Sequence, residues 1–211
     1  ILDEMRSRSR MRLEGASHSA AVARACSYFS PVRAFDDMTG GIEYFHFLEK
    51  TADAYSKDEK FRKELVRKLK ETTEKLFAAD NLMVGYTADE EGYKALPEEL
   101  KKFKAALSDK PSRRYAFEFV PELKNEGFKT SSKVNYVARC GSFDAEAYTG
   151  ALEVLKVIMN YEYLWQNLRV IGGAYGCMSN FGRSGTGCLV SYRDPKLATT
   201  DKIYEGIPEY L

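Results

Sequence analysis

The stretch from Ala174 to Arg193 sets the tightest limit on the fold. Two strand-like segments, Ala174–Phe181 and Cys188–Arg193, flank the glycine-rich turn Gly182–Gly187, which is the pattern of a β-hairpin. Upstream, Tyr148, Leu152, Leu155, Ile158, Trp165 and Leu168 form the apolar face of a predicted helix. Asp144 is placed to cap that helix, with Glu146 favourable in its first turn. It should end near Arg169, because Gly172-Gly173 sits poorly in a helix. Further strands are predicted at Tyr115–Val120 and Val134–Cys140, the second ended by Gly141, and a last helix over Ala198–Tyr204 beyond Asp194-Pro195. The expected class is α+β, with helices packed on an antiparallel or mixed sheet.

The first half reads differently. Met5 to Arg12 is a charged helix, Ala16–Phe29 is rich in small residues, and Thr39-Gly40-Gly41 breaks the chain before a helix over Ile42–Tyr55. Lys57–Phe77 is amphipathic, with Phe61, Leu65, Leu69, Leu76 and Phe77 at helical spacing. A strand is predicted at Leu82–Thr87 and a helix at Pro97–Leu107, with Pro97 in its first turn. The polar run Ser108–Arg114 then marks a linker, so the expected division is 1–110 and 115–211.

Charge and composition remove several function classes. The 211 residues carry a formal net charge of +1, so no global field marks a nucleic-acid or membrane partner. Arg6, Arg8, Arg10 and Arg12 alternate in sequence and scatter around a helix, which fits a solvated face better than an RNA-binding arm. No apolar run is long enough for a membrane span, and no signal peptide is visible. The four cysteines, at 26, 140, 177 and 188, form no CxxC, and only His18 and His46 are present. Zinc-finger and zinc-ribbon patterns are therefore excluded, and the cysteines read as reduced, mostly buried thiols. The chain opens at Ile1 in a polar helical pattern and stops at Leu211 inside Ile207-Pro208-Glu209-Tyr210-Leu211. Both ends are expected to be cuts through a longer protein.

His46-Phe47-Leu48-Glu49-Lys50 comes within one residue of HxxEH. That motif needs two histidines four apart to grip zinc, with the glutamate acting on the metal-bound water. Lys50 stands where the second histidine belongs and would repel a cation. No metal ligand is expected in this chain. The glycine-rich turn lacks a phosphate-loop Lys-Ser/Thr, and no GxSxG elbow occurs. Leu168–Gly176 reads as a helix end, two glycines and a strand that starts with a tyrosine. Arg169 there suits a helix C-terminus, and the glycines allow another backbone to approach. An ordinary helix-to-strand turn would look the same.

A resemblance adds to this reading. Ser27-Tyr28-Phe29-Ser30-Pro31, Gly40-Gly41-Ile42, Asp89-Glu90-Glu91-Gly92, Arg169-Val170-Ile171-Gly172-Gly173-Ala174-Tyr175-Gly176 and Ser191-Tyr192-Arg193-Asp194-Pro195 occur in that order. Together they resemble the C-terminal half of presequence proteases, in the pitrilysin/insulinase family of zinc metallopeptidases. The resemblance implies a processing-peptidase-like metallohydrolase fold of two homologous halves around a chamber for unstructured peptides. Zinc would be bound by the N-terminal half through HxxEH. Residues 1–110 would close the third family domain, and residues 115–211 would open the fourth. Arg169 and Tyr175 match the family's substrate-binding arginine and tyrosine, with Gly173, Tyr192 and Arg193 beside them. The partners implied are a peptide substrate and the N-terminal catalytic half, with no nucleic acid and no membrane. The compartment would be cytoplasmic in a bacterium or an organelle matrix in a eukaryote. This piece alone would be inactive, and a non-catalytic peptide-binding family member would carry the same residues. On a straight strand six residues span about 20 Å. Arg169 and Tyr175 can therefore serve one bond only if Gly172-Gly173 folds the chain back or a long side chain bridges the gap.

Overall fold

The computed structural model describes residues 1–111 and 113–211, so Ser112, inside the predicted linker, lies outside the described residues. Two compact units emerge, Ile1–Ala52 with Phe119–Leu211, and Asp53–Glu118.

The larger unit is built around a three-stranded antiparallel sheet of β1 (Ala138–Ser142), β2 (Gly176–Gly182) and β3 (Thr186–Tyr192), in the order β1-β3-β2. The predicted hairpin is β2–β3, closed over Arg183–Gly185 with Gly185 at φ +74°. On one face lies the helix α2 (Ser17–Ser27), which follows α1 (Leu2–Gly15). His18, Val22 and Cys26 recur every four residues and meet the sheet. His18 packs edge-on to Tyr192 at 5.0 Å, the Val22 carbonyl lies 3.9 Å from Cys140 Sγ, and Cys26 Sγ lies 3.5 Å from Cys188 Sγ. On the other face runs the long helix that starts as α7 (Gly150–Ile158), with α8 (Leu197–Glu205) beside it and the short α9 (Ile207–Tyr210) after that. Val137, Met159, Leu164, Leu168, Ala174, Cys177 and Tyr204 form the core between helix and sheet.

The long helix changes winding along its length. Beyond Ile158 it becomes π-helical over Met159–Tyr163 and Trp165–Ile171, and the Leu164 N–H bonds the Met159 carbonyl. Winding of that kind brings residues five apart into line, so Met159 and Leu164 share the core face. Trp165, expected on the apolar face, is displaced outward and is 39% exposed. Asn160 anchors the helix to β2: its Oδ1 accepts from the Ser179 N–H at 2.5 Å and the Ser179 hydroxyl at 2.9 Å.

Two helices, α3 (Pro31–Gly40) and α4 (Ile42–Lys57), follow α2. Ser30 caps α3, Pro31 takes its first position, and Asp37 Oδ1 accepts from the Ile42 N–H at 2.8 Å across the Gly41 break. The arginines of α1 each have their own partner: Arg6 with Asp3, Arg8 with Glu4, Arg10 with Glu49, and Arg12 with the Gly40 carbonyl.

The smaller unit holds α5 (Glu59–Leu76) and α6 (Glu90–Ala105), capped by Asp58 and Asp89. The amphipathic α5 forms as expected, but Leu69, Leu76 and Phe77 are exposed. The segment after α5 joins the one after α6 through an Ala78–Ser108 bridge and a Lys110–Glu74 ion pair of 2.8 Å.

Several boundaries differ from the sequence reading. Leu82–Thr87 and Tyr115–Val120 are not strands; β-favouring residues give an extended chain, but a strand needs a neighbouring edge to satisfy its backbone. The helix α6 starts at Glu90, so Pro97 falls inside it rather than in its first turn. Asp144 caps only a short 3₁₀ turn, Ala145–Ala147, and α7 starts later at Gly150. Gly141 lies within β1, and of Val134–Cys140 only the last three residues are strand. The compact units divide the chain at Ala52–Asp53 and at Glu118–Phe119 rather than at 110–115.

Candidate functional site

At the end of the long helix the chain turns sharply into β2. The Gly173 N–H bonds the Arg169 carbonyl at 3.1 Å and the Ala174 N–H bonds the Leu168 carbonyl at 2.9 Å. The two glycines do different work. A Cβ on Gly172 would lie 2.5 Å from the Leu168 carbonyl oxygen, whereas Gly173 has φ +84° with only ordinary contact at its Cβ position. Gly172 thus permits a close approach, and Gly173 permits a left-handed turn.

This turn brings Arg169 and Tyr175 together. The Arg169 guanidinium lies 4.6 Å from the Trp165 ring and 5.3 Å from the Tyr175 ring. On the far side Arg193 lies 5.8 Å from Tyr175 and 5.5 Å from Tyr192. An exposed tyrosine (63%) therefore stands between two guanidinium groups. Among the described residues, neither arginine has a carboxylate within salt-bridge distance. Their field stays unneutralised except by the aromatic faces, which attract cations.

The position of Arg193 comes from a local irregularity. Ala138 lies opposite Val190, but Asn135 lies opposite Asp194. The β3 side has gained one residue, as in a β-bulge, and Arg193 takes it up at φ +49°. The Tyr175 N–H donates to the Tyr192 carbonyl at 3.0 Å beside this bulge. Asp194 turns inward, away from Arg193. Its Oδ1 accepts from the Lys196 N–H at 2.8 Å, and its Oδ2 accepts from the Thr200 hydroxyl. Ser191 is buried and its Oγ accepts from the Val137 N–H at 3.2 Å.

Trp165, Arg169, Val170, Gly173, Ala174, Tyr175 and Arg193 line a shallow open depression of about 600 Å³. Of the residues singled out by sequence, Arg169, Tyr175, Gly173 and Arg193 meet there. Tyr192 stands behind, held between His18 and Tyr136. Trp165 is the member that sequence reasoning placed elsewhere; its position four residues before Arg169 was the available signal. The depression offers guanidinium and phenol donors but no carboxylate or imidazole. It can hold carbonyl or carboxylate oxygens, and it holds no group that would take a proton from water.

His46 does not resemble a hydrolytic zinc ligand. Its Nδ1 lies 3.4 Å from Glu49, which also pairs with Arg10, and Lys50 replaces the second histidine. The residues present do not fit such a zinc.

Known proteins resemble this chain along most of its length. Residues 125–211 match the PreP C-terminal domain. Protein HypA of Clostridium perfringens is 35% identical over 208 residues, covering 96% of this chain and 21% of that protein. Presequence protease 1, chloroplastic/mitochondrial, of Arabidopsis thaliana is 29% identical, covering 100% of this chain and 20% of that protein. The mitochondrial presequence protease of Kluyveromyces lactis is 27% identical, over 92% and 21% respectively. The chain thus spans about a fifth of the length of the curated relatives it matches. No helix among the described residues is long and apolar enough to cross a membrane.

Proposed function

We propose, because this chain belongs to the presequence-protease family, that it forms part of the peptide-binding wall of a zinc metalloendopeptidase that cleaves unstructured peptides in a closed chamber. The observation that carries this reading is the Arg169 guanidinium, held between Trp165 and Tyr175 with no acidic partner. Arg169 holds a backbone carbonyl of the peptide and fixes its position. The Tyr175 hydroxyl donates to the oxygen that becomes negative in the tetrahedral intermediate. Losing such a donor raises a comparable barrier by roughly 3–4 kcal/mol. Arg193 adds a second anchor, Tyr192 supports it, and Gly173 lets the peptide backbone come close.

Zinc, when bound, polarises the scissile carbonyl and lowers the pKa of water. In this reading zinc is held by the N-terminal half of a longer protein, which is also this segment's main partner. Residues 1–110 and 115–211 then belong to the third and fourth family domains. An organelle matrix or a bacterial cytoplasm suits such a protein.

Steady-state kinetics on the longer protein test the roles. Tyr175→Phe should lower kcat about a hundredfold or more with little change in KM. Arg169→Ala should raise KM as well, because it also loses ground-state binding. Normal kcat in a folded Tyr175→Phe protein removes the catalytic role. A wild-type protein that binds peptides without cutting them returns the non-catalytic reading.

A further inference from the structure

Three cysteines from distant parts of the chain converge where α2 crosses the sheet. Cys140 and Cys188 are directly opposite each other on β1 and β3, so their side chains leave the same sheet face. Cys26 descends on that pair from the sheet-facing stripe of α2, with its Sγ 3.5 Å from Cys188 Sγ. All three sulfurs lie within 4.8 Å of one another. Cys26 and Cys188 are buried and Cys140 is half-buried. Thiolates bound to one metal at about 2.3 Å sit roughly 3.8–4.0 Å apart, and this cluster needs only sub-ångström adjustments to meet that spacing. Among the described residues, this is the group of metal-ligating side chains gathered closely enough to share an ion.

We propose that Cys26, Cys140 and Cys188 form a site for one thiophilic cation with a filled d shell, of the Zn²⁺ and Cu⁺ class. All three donors are soft sulfur, which selects such ions and disfavours Mg²⁺ and Ca²⁺. Three cysteine sulfurs and Zn²⁺ give a tris-thiolate complex of net charge −1, each ligand that is still a thiol releasing its proton, with no change of oxidation state. The bound ion would tie a helix near the start of the chain to strands formed more than a hundred residues later. Spacing in sequence could not reveal this, and the absence of any CxxC pointed the other way.

Cysteine 177 is a built-in control, buried but outside the cluster. Cd²⁺ titrated into the reduced 211-residue chain serves as probe, because its ultraviolet thiolate charge-transfer band grows with the number of sulfurs bound. One equivalent should saturate, with band intensity for three thiolates. Competition against a chromophoric chelator, with Zn²⁺ and with Cu⁺ in separate arms, then ranks the two ions. Cys140→Ser should lose a third of the band and at least tenfold in affinity for the preferred ion, while Cys177→Ser should change neither. If Cys140→Ser does not keep its native circular dichroism spectrum, maleimide labelling of the wild-type chain decides instead. The metal should then protect Cys26, Cys140 and Cys188, and leave labelling of Cys177 unchanged. A fully reduced chain with no such band overturns the proposal, as does a band of full height in folded Cys140→Ser or equal protection of all four thiols.

Discussion

The guanidinium of Arg169 lies 5.3 Å from the ring of Tyr175 across six residues of chain, a separation of about 20 Å on a straight strand. The glycine turn closes the gap, which was the condition for both groups to act on one bond. Its two glycines should respond differently to substitution. Gly173→Ala meets no clash but must hold φ +84°, a strain of about 1–2 kcal/mol. Gly173→Asn should recover part of that loss, because asparagine tolerates the left-handed region. Gly172→Ala would drive a Cβ to 2.5 Å from the Leu168 carbonyl, and asparagine should do no better there. Thermal melts of the four variants check this, and rescue by asparagine at 172 but not at 173 would invert the assignment.

Trp165 is the only tryptophan in the chain, and its ring faces Arg169 at 4.6 Å. Its fluorescence therefore reports on the depression without interference. An unstructured peptide that draws Arg169 away should shift the emission in a saturable manner. Arg169→Ala should remove most of that response while the fold persists, and Met83→Ala, at an exposed position far along the chain, should leave it unchanged. An identical response in Arg169→Ala would show that peptides do not engage this arginine.

Much of the fold was legible because local signals sufficed for it. The hairpin and the breaks at Gly41 and Gly172-Gly173 are properties of a few neighbouring residues. The segments 82–87 and 115–120 misled because β propensity specifies an extended chain, and pairing is decided by distant partners. The π winding of the long helix has no compositional signature, so Met159, Leu164 and the outward turn of Trp165 escaped a 3.6-residue period. At the site, Arg169 and Tyr175 were visible through the resemblance. The extra residue that lifts Arg193 over Tyr175 exists only in the register between Asn135 and Asp194. The three-thiol cluster was invisible for the same reason, since its members meet only once the sheet has formed.

Arg24 should be the most costly single side chain to remove from the larger unit. Its side chain is 11% exposed, and it pairs with Asp37 at 2.6 Å, Glu43 at 3.0 Å and Glu126 at 2.7 Å. It therefore binds α2 to α3, α4 and the segment leading into β1. Arg24→Met keeps most of the volume but leaves the buried Asp37 carboxylate without its cation. Breaking one side of a buried pair in this way costs about 3–5 kcal/mol. The pH dependence gives a sharper test. The hydrogen bond from Arg24 holds the Glu126 carboxyl below its ordinary range, against the opposing effect of burial. A carboxyl depressed in the folded state contributes stability that is present above the unfolded value of about 4.3 and is lost as pH falls through the lower folded value. Wild-type stability should thus decline in acid, and Arg24→Met, lacking this contribution, should decline less over the same range. The difference between the two proteins should be largest near pH 7 and shrink below about pH 4. Urea unfolding at pH 7 and pH 3 measures it. A difference that is constant across pH would mean that Arg24 acts through packing on Tyr28 and Phe128 rather than through its charge.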